Sequence, residues 1–211
     1  AEIQEAIFSM LAIEEIGATV VPISIDQEQN HVINHLTGEV TGEKRNMMVE
    51  AARITRGNVS EINSIDISTL DAVVIPGGFG SAKNFTTWAF DGPAGTINDA
   101  VKKFILAMHG AKKPILALCV SPVVVAKAFE NSGVSTTLTI GSSTSPSPYT
   151  ISDFEAGIVA TGAKTEQANL GEVALDEENK IISAPCYMME ASLLDVKNNI
   201  SNAINVLKSI L

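Results

Sequence analysis

The stretch Pro114-Ile115-Leu116-Ala117-Leu118-Cys119-Val120-Ser121-Pro122 decides the fold of this chain. Its short apolar run reads as a strand covered on both faces. Ser121-Pro122 then opens a second apolar stretch, Val123 to Phe129, which reads as a helix. A cysteine at such a strand-to-helix elbow is held at the carboxyl edge of a sheet, beside a helix amino terminus. That place exposes a nucleophile and lowers a thiol pKa. Cysteine is also among the most buried residue types and often simply packs. Both readings of Cys119 stand at this point.

Outward from the elbow, helices alternate with short apolar strands. The stripe Ile3, Ala6, Ile7, Met10, Leu11 and Ile13 predicts a helix closed by Gly17. Thr19 to Ile25 and Leu70 to Ile75 read as strands, the second cut off by Pro76-Gly77-Gly78-Phe79-Gly80. Helices are expected over Glu43–Ile54, Thr96–His109, Phe154–Gly162 and Met188–Leu211, and a strand over Thr136–Ile140. Asp26 to Thr41 is polar and irregular, and Gly141 to Pro148 is a Ser/Thr/Pro loop. Val173–Leu175 and Lys180–Ala184, around Asp176-Glu177-Glu178-Asn179, give a hairpin signal. This order argues an α/β fold with a mostly parallel sheet and helices on both faces, whose ligand site lies at the carboxyl ends of the strands. The Gly77-Gly78 turn and the Cys119 elbow both fall there.

The bulk numbers narrow the function. The chain has 211 residues, 45% of them hydrophobic, which suits one domain spanning residues 1–211 with a real core. A formal charge of −10 without any Lys/Arg cluster argues against nucleic acid and anionic membrane as partners. Two cysteines, Cys119 and Cys186, make no disulfide framework and read as reduced intracellular thiols. No apolar run reaches membrane-spanning length, and no signal peptide is expected. The chain opens on Ala1-Glu2-Ile3, without Met and already in helix-like sequence.

Glycines in the Pro76–Gly80 turn let backbone N–H groups face a ligand. Their spacing is neither the dinucleotide fingerprint nor a phosphate loop, and a tight turn alone explains them. Beside Cys119 they gain a second meaning. A thiolate adding to a carbonyl makes an oxyanion, which N–H groups of Gly78 and Val120 can hold. None of the histidines, His31, His35 and His109, follows Cys119, so a hydrolase ordered Cys then His is excluded. His109 reads as a dipole-stabilising residue at a helix end. His31 and His35 have the i, i+4 spacing of a metal pair but lack a third ligand, so no metal is expected. Glu2 and Glu5 read locally as solvated amino-terminal carboxylates of the first helix. Cys186, after the strand ending at Ala184, borders the same cleft or packs.

Val73-Val74-Ile75-Pro76-Gly77-Gly78 and Leu116-Ala117-Leu118-Cys119-Val120-Ser121-Pro122 resemble the PfpI superfamily, which includes the Parkinson-associated deglycase and is related to class I glutamine amidotransferase domains. Val32–Glu39, Glu50–Gly57 and Pro76–Asn84 resemble its ElbB, or ES1, branch, and the resemblance covers nearly the whole chain. It implies a flavodoxin-like three-layer sandwich, usually dimeric, and a first strand and Gly-rich turn ahead of the helix that opens this chain. That strand is expected to be absent from the sequence given. By position, Cys119 matches the family nucleophile, Glu5 the buried glutamate that hydrogen-bonds it, and Gly78 and Val120 the oxyanion amides. Gly77, His35 and Cys186 are candidates to line the cleft. Many superfamily members carry a histidine some twenty residues after the cysteine, where this chain has Thr137-Leu138-Thr139-Ile140-Gly141. Protease or amidase activity is therefore not expected. The branch resemblance implies a cofactor-independent, glyoxalase-like lyase acting on small α-oxoaldehydes, glyoxal to glycolate, as a homodimer. The expected location is the cytoplasm, or the mitochondrion in a eukaryote. The competing expectation is a non-catalytic redox-sensing or binding protein with an oxidisable cysteine, linked to isoprenoid metabolism only through the branch's name.

Overall fold

A computed structural model describes all residues, Ala1–Leu211. Side-chain caps set four of the eight α-helix starts. Helix α1 spans Ile3–Glu15, with the Glu2 carboxylate accepting from the Glu5 N–H, and it ends against Gly17 at φ +81°. Strand β1 (Ile23–Ser24) and a small antiparallel hairpin, β2 (Ile33–Asn34) with β3 (Glu39–Val40), follow. Helix α2 covers Met47–Ile54 and β4 covers Ser60–Glu61. Strand β5 (Val73–Ile75) leads to two short helices, α3 (Phe79–Asn84) and α4 (Trp88–Asp91), and then to α5 (Asp99–Gly110). The elbow joins β6 (Ile115–Leu118) to α6 (Pro122–Phe129). The chain closes through β7 (Thr137–Leu138), α7 (Ile151–Ala160), β8 (Lys164–Thr165), β9 (Ala174–Asp176), β10 (Ile181–Ala184) and α8 (Leu193–Ser209).

The central sheet runs β5-β6-β10-β9. Its first three strands are parallel, and β9 pairs antiparallel with β10 as the expected hairpin. Helices α1 and α8 pack on one another, with α8 against β6 and β10; α5 and α6 pack on one another and against β6. Strand β6 is therefore covered on both faces, and all four of its residues are buried. This is the α/β layering expected from the sequence. One apolar cluster of 38 buried residues runs through it. Strand β1 pairs in parallel with β4, in a separate two-stranded ladder. No helix is long and apolar enough to cross a membrane.

Several elements are shorter than the apolar pattern predicts, and the reasons are local. The helix expected from Glu43 begins at Met47, because the Asn46 side chain accepts from the N–H groups of Met48 and Val49. The one expected from Thr96 begins at Asp99, capped by Asn98. The last helix begins at Leu193 rather than Met188: Ser192 and Asp195 form a capping box, and Cys186–Met188 makes a separate 3-10 turn. The strand expected from Leu70 begins at Val73, because the Leu70 N–H closes a 3-10 turn by donating to the Ile67 carbonyl. The strand expected over Thr19–Ile25 shrinks to two residues, matching the two-residue partner β4.

Candidate functional site

Strand β6 delivers Cys119 to the carboxyl edge of the sheet at φ +56°, a left-handed conformation that a side chain with a Cβ rarely adopts. The elbow is held from several sides. The Cys119 N–H donates to the Ala184 carbonyl at 2.9 Å, and the Ser121 N–H closes the turn onto Leu118 at 2.9 Å. The Ser121 hydroxyl donates to the Pro76 carbonyl at 2.7 Å, tying the elbow to the glycine turn after β5.

Gly77 is glycine for a steric reason. A Cβ there would lie 2.3 Å from Cys119 Cβ, 2.7 Å from Glu5 Oε2 and 2.8 Å from the Leu118 carbonyl oxygen. Cysteine and glutamate are thus neighbours across a backbone that carries no side chain. The Gly77 N–H donates to Glu5 Oε2 at 2.9 Å, and the Glu2 N–H donates to the Gly77 carbonyl at 2.8 Å, seating the start of α1 on the turn. Gly78 adopts φ +93°, and a Cβ on it would stand 2.5 Å from the Glu2 nitrogen.

Glu5 is fully buried, and its Oε1 has no hydrogen-bond partner. Burial pushes its pKa up to about 7; the neighbouring thiol opposes this, the Glu2 charge adds to it, and the backbone amides of Gly77 and Tyr187 oppose it. The local reading of Glu5 as a solvated carboxylate is therefore corrected. Packing of α1 against the glycine turn, 72 residues away in sequence, takes it out of water.

The expectation of an exposed, low-pKa thiol is also corrected. Cys119 is only 6% exposed. Burial first, and then the Glu5 charge, push its pKa well above the ordinary value, while the backbone N–H groups of Gly78 and Val120 pull it down. Neither of those amides donates to another backbone group. The position therefore stores the thiol as a neutral group beside a carboxyl that titrates near neutrality, with two unengaged donors facing it.

Cys186 is completely buried, at φ +44°. Its N–H donates to Asn199 Oδ1 at 3.0 Å, and its thiol pKa is raised mainly by burial and then by the Glu5 charge. It borders the glutamate from the β10 side. His35 is not among the groups that act on the thiol; it stands exposed on the turn of the β2–β3 hairpin. His31 lies 3.4 Å from Lys83 Nζ and edge-on to Phe90. His109 meets Asn179 Oδ1 at 3.2 Å and packs edge-on to Phe129. Sequence reasoning passed over Tyr149, whose phenol pKa is raised by burial first and then by the nearby Cys119 and Glu5 groups. Its position at the end of a Ser/Thr/Pro loop gave no sign of that.

No family model matches the chain. It is 34% identical over 203 residues to the ES1 protein homolog, mitochondrial, of Rattus norvegicus, spanning 94% of this chain and 74% of that one. It is 35% identical to the human glutamine amidotransferase-like class 1 domain-containing protein 3, mitochondrial, over 91% of this chain and 71% of that protein. Among solved structures, an isoprenoid biosynthesis protein with an amidotransferase-like domain from Ehrlichia chaffeensis superposes with a TM-score of 0.89 at 31% identity, covering 100% of this chain and 92% of that one. Drosophila melanogaster DJ-1beta, at 15% identity and a TM-score of 0.56, shares the fold.

Proposed function

The chain belongs to the ES1 family of glutamine amidotransferase-like class 1 proteins, and from that premise and the site geometry we propose that it is a cofactor-independent glyoxalase-like enzyme acting on small α-oxoaldehydes. One observation carries the reading: a fully buried carboxyl that titrates at about 7, with one unpartnered oxygen, stands beside a cysteine at a positive-φ elbow. Such a carboxyl can take and return a proton at neutral pH.

The reaction needs no external oxidant or reductant. Glu5 carboxylate takes the Cys119 thiol proton as sulfur bonds to one aldehyde carbon of glyoxal. The carbonyl electron pair moves onto oxygen, which the N–H groups of Gly78 and Val120 hold. Glu5 returns its proton to that oxygen, giving a hemithioacetal. Glu5 then removes the hydrogen from the sulfur-bearing carbon, giving an enediolate with its charge on the second oxygen. Glu5 delivers that proton to the other carbon as the hydroxyl proton on the sulfur-bearing carbon passes to the second oxygen. One carbon is oxidised to a thioester as the other is reduced to an alcohol. Water cleaves the thioester, releasing glycolate and the free thiol.

The test is glycolate formed from glyoxal by the purified protein. Turnover that falls at least about a thousandfold in Cys119→Ser is expected, because the covalent route is lost; turnover retained in that variant, or absent from the wild type, rejects the reading. Redox sensing finds less support, since a sensor thiol needs exposure and thiolate character and Cys119 has neither at rest. A homodimer is proposed on the exposed α1 stripe of Ile3, Ile7 and Leu11. The mitochondrial names of the rat and human relatives support a mitochondrial location in a eukaryotic source, and the cytoplasm is proposed otherwise.

A further inference from the structure

Isomerising a 1,2-dicarbonyl develops charge on two oxygens, and the backbone donors of Gly78 and Val120 flank only the sulfur end. The histidines engage other partners or solvent, so the second oxygen needs a donor from elsewhere. The chain has two tyrosines. Tyr187 is engaged, its hydroxyl donating to Gln4 Oε1 at 2.5 Å. Tyr149 is different: its backbone and ring are fixed, while its hydroxyl bonds no other protein group.

The fixing is specific. The Tyr149 N–H donates to Ser147 Oγ at 3.0 Å, and the Ser147 hydroxyl donates to the Met188 carbonyl at 2.6 Å. The Glu190 N–H donates to the Pro146 carbonyl at 3.0 Å. These bonds clamp the loop to the segment that follows Cys186. On the other side, the Tyr149 ring meets the Phe79 ring edge-on at 5.7 Å, and Phe79 directly follows oxyanion Gly78. Phe154 supports the ring at 6.3 Å. The half-buried ring therefore sits between the glycine turn after β5 and the loop clamped to the segment after Cys186. Burial first, and then the nearby Cys119 and Glu5 groups, push the Tyr149 pKa above the ordinary phenol value, so it is a neutral donor at physiological pH.

We propose that Tyr149 is a substrate-binding residue of this cleft, its hydroxyl donating to the second oxygen of a bound 1,2-dicarbonyl while the Gly78 and Val120 amides hold the first. This rests on the dicarbonyl reading above. The phenol keeps its proton throughout; it stabilises the enediolate oxygen by hydrogen bonding alone.

Glyoxal protection of Cys119 against iodoacetamide, mapped by mass spectrometry, tests the role independently of turnover. Tyr149→Phe keeps the ring and its packing on Phe79 and Phe154. Without glyoxal, the variant and the wild type are expected to alkylate at the same rate, which also verifies an intact cleft. With glyoxal, the variant should need about tenfold more for equal protection, the loss of one hydrogen bond to bound ligand, and glycolate formation should fall by at least as much. Equal protection in the two proteins overturns the assignment. Weaker protection of the variant without glycolate from either protein supports Tyr149 as a binding residue and rejects the isomerisation. No protection of the wild type overturns both.

Discussion

Cys119 and Cys186 occupy matching places. Each follows a buried strand of the parallel pair β6–β10, each adopts a positive φ, and each is buried with a raised thiol pKa. What surrounds them differs. Two unengaged backbone amides flank Cys119, and it meets a carboxyl across Gly77. Cys186 has its amide capped by the fully buried Asn199, which in turn donates to the Glu172 carbonyl at 2.9 Å. A strand end and a strained elbow do not by themselves make a nucleophile. A proton acceptor and spare donors around the sulfur do.

The largest expected break in that contrast is Gly77→Ala. The added Cβ falls inside contact distance of Cys119, Glu5 and the Leu118 carbonyl together, two of them anchored by backbone. Such overpacking costs about 1–3 kcal/mol or more, so the variant should melt several degrees lower and lose turnover even while folded. A variant with wild-type melting and activity would show that the thiol and carboxyl are not held against this backbone.

Glu5→Gln gives the next effect, and its sign is fixed by linkage. A carboxyl whose pKa rises from 4.5 to about 7 on folding lowers stability as pH climbs through that window, because the unfolded chain releases its proton first. At about 1.4 kcal/mol per pH unit, this amounts to about 3 kcal/mol. Urea unfolding followed by Trp88 fluorescence at pH 4.5 and pH 8 should show that loss in the wild type and a much flatter dependence in the variant. Parallel pH profiles in the two proteins would remove Glu5 as the buried acid.

The smallest effect is expected at the other elbow. Cys186→Ala removes a buried sulfur for a loss of about 1–2 kcal/mol while most of the turnover remains. A loss of turnover comparable to that of Cys119→Ser would erase the distinction between the two cysteines.

The elbow itself was legible because its signals are local: an apolar run, a cysteine, then Ser121-Pro122. The same holds for the Pro76–Gly80 turn and for the β9–β10 hairpin. Glu5 was legible only through family resemblance, since its burial depends on a glycine turn far along the chain. The neutral state of the Cys119 thiol was misread from position alone, because desolvation outweighs the two amides that favour the anion. Asn46, Asn98 and Ser192 were capping residues hidden inside longer apolar patterns. Tyr149 could not be read at all, since its place depends on a loop clamped to the segment after β10 and on the ring of Phe79.

The central claim is that Cys119 reacts because Glu5 takes its proton. The pH dependence of Cys119 alkylation by iodoacetamide, in the wild type and Glu5→Gln, measures this directly. Wild-type reactivity should rise through an ionisation near pH 7, and Glu5→Gln should lose that step, reacting at least about tenfold more slowly at pH 7.5. Superimposable profiles, each with a single ionisation in the ordinary thiol range, would contradict it.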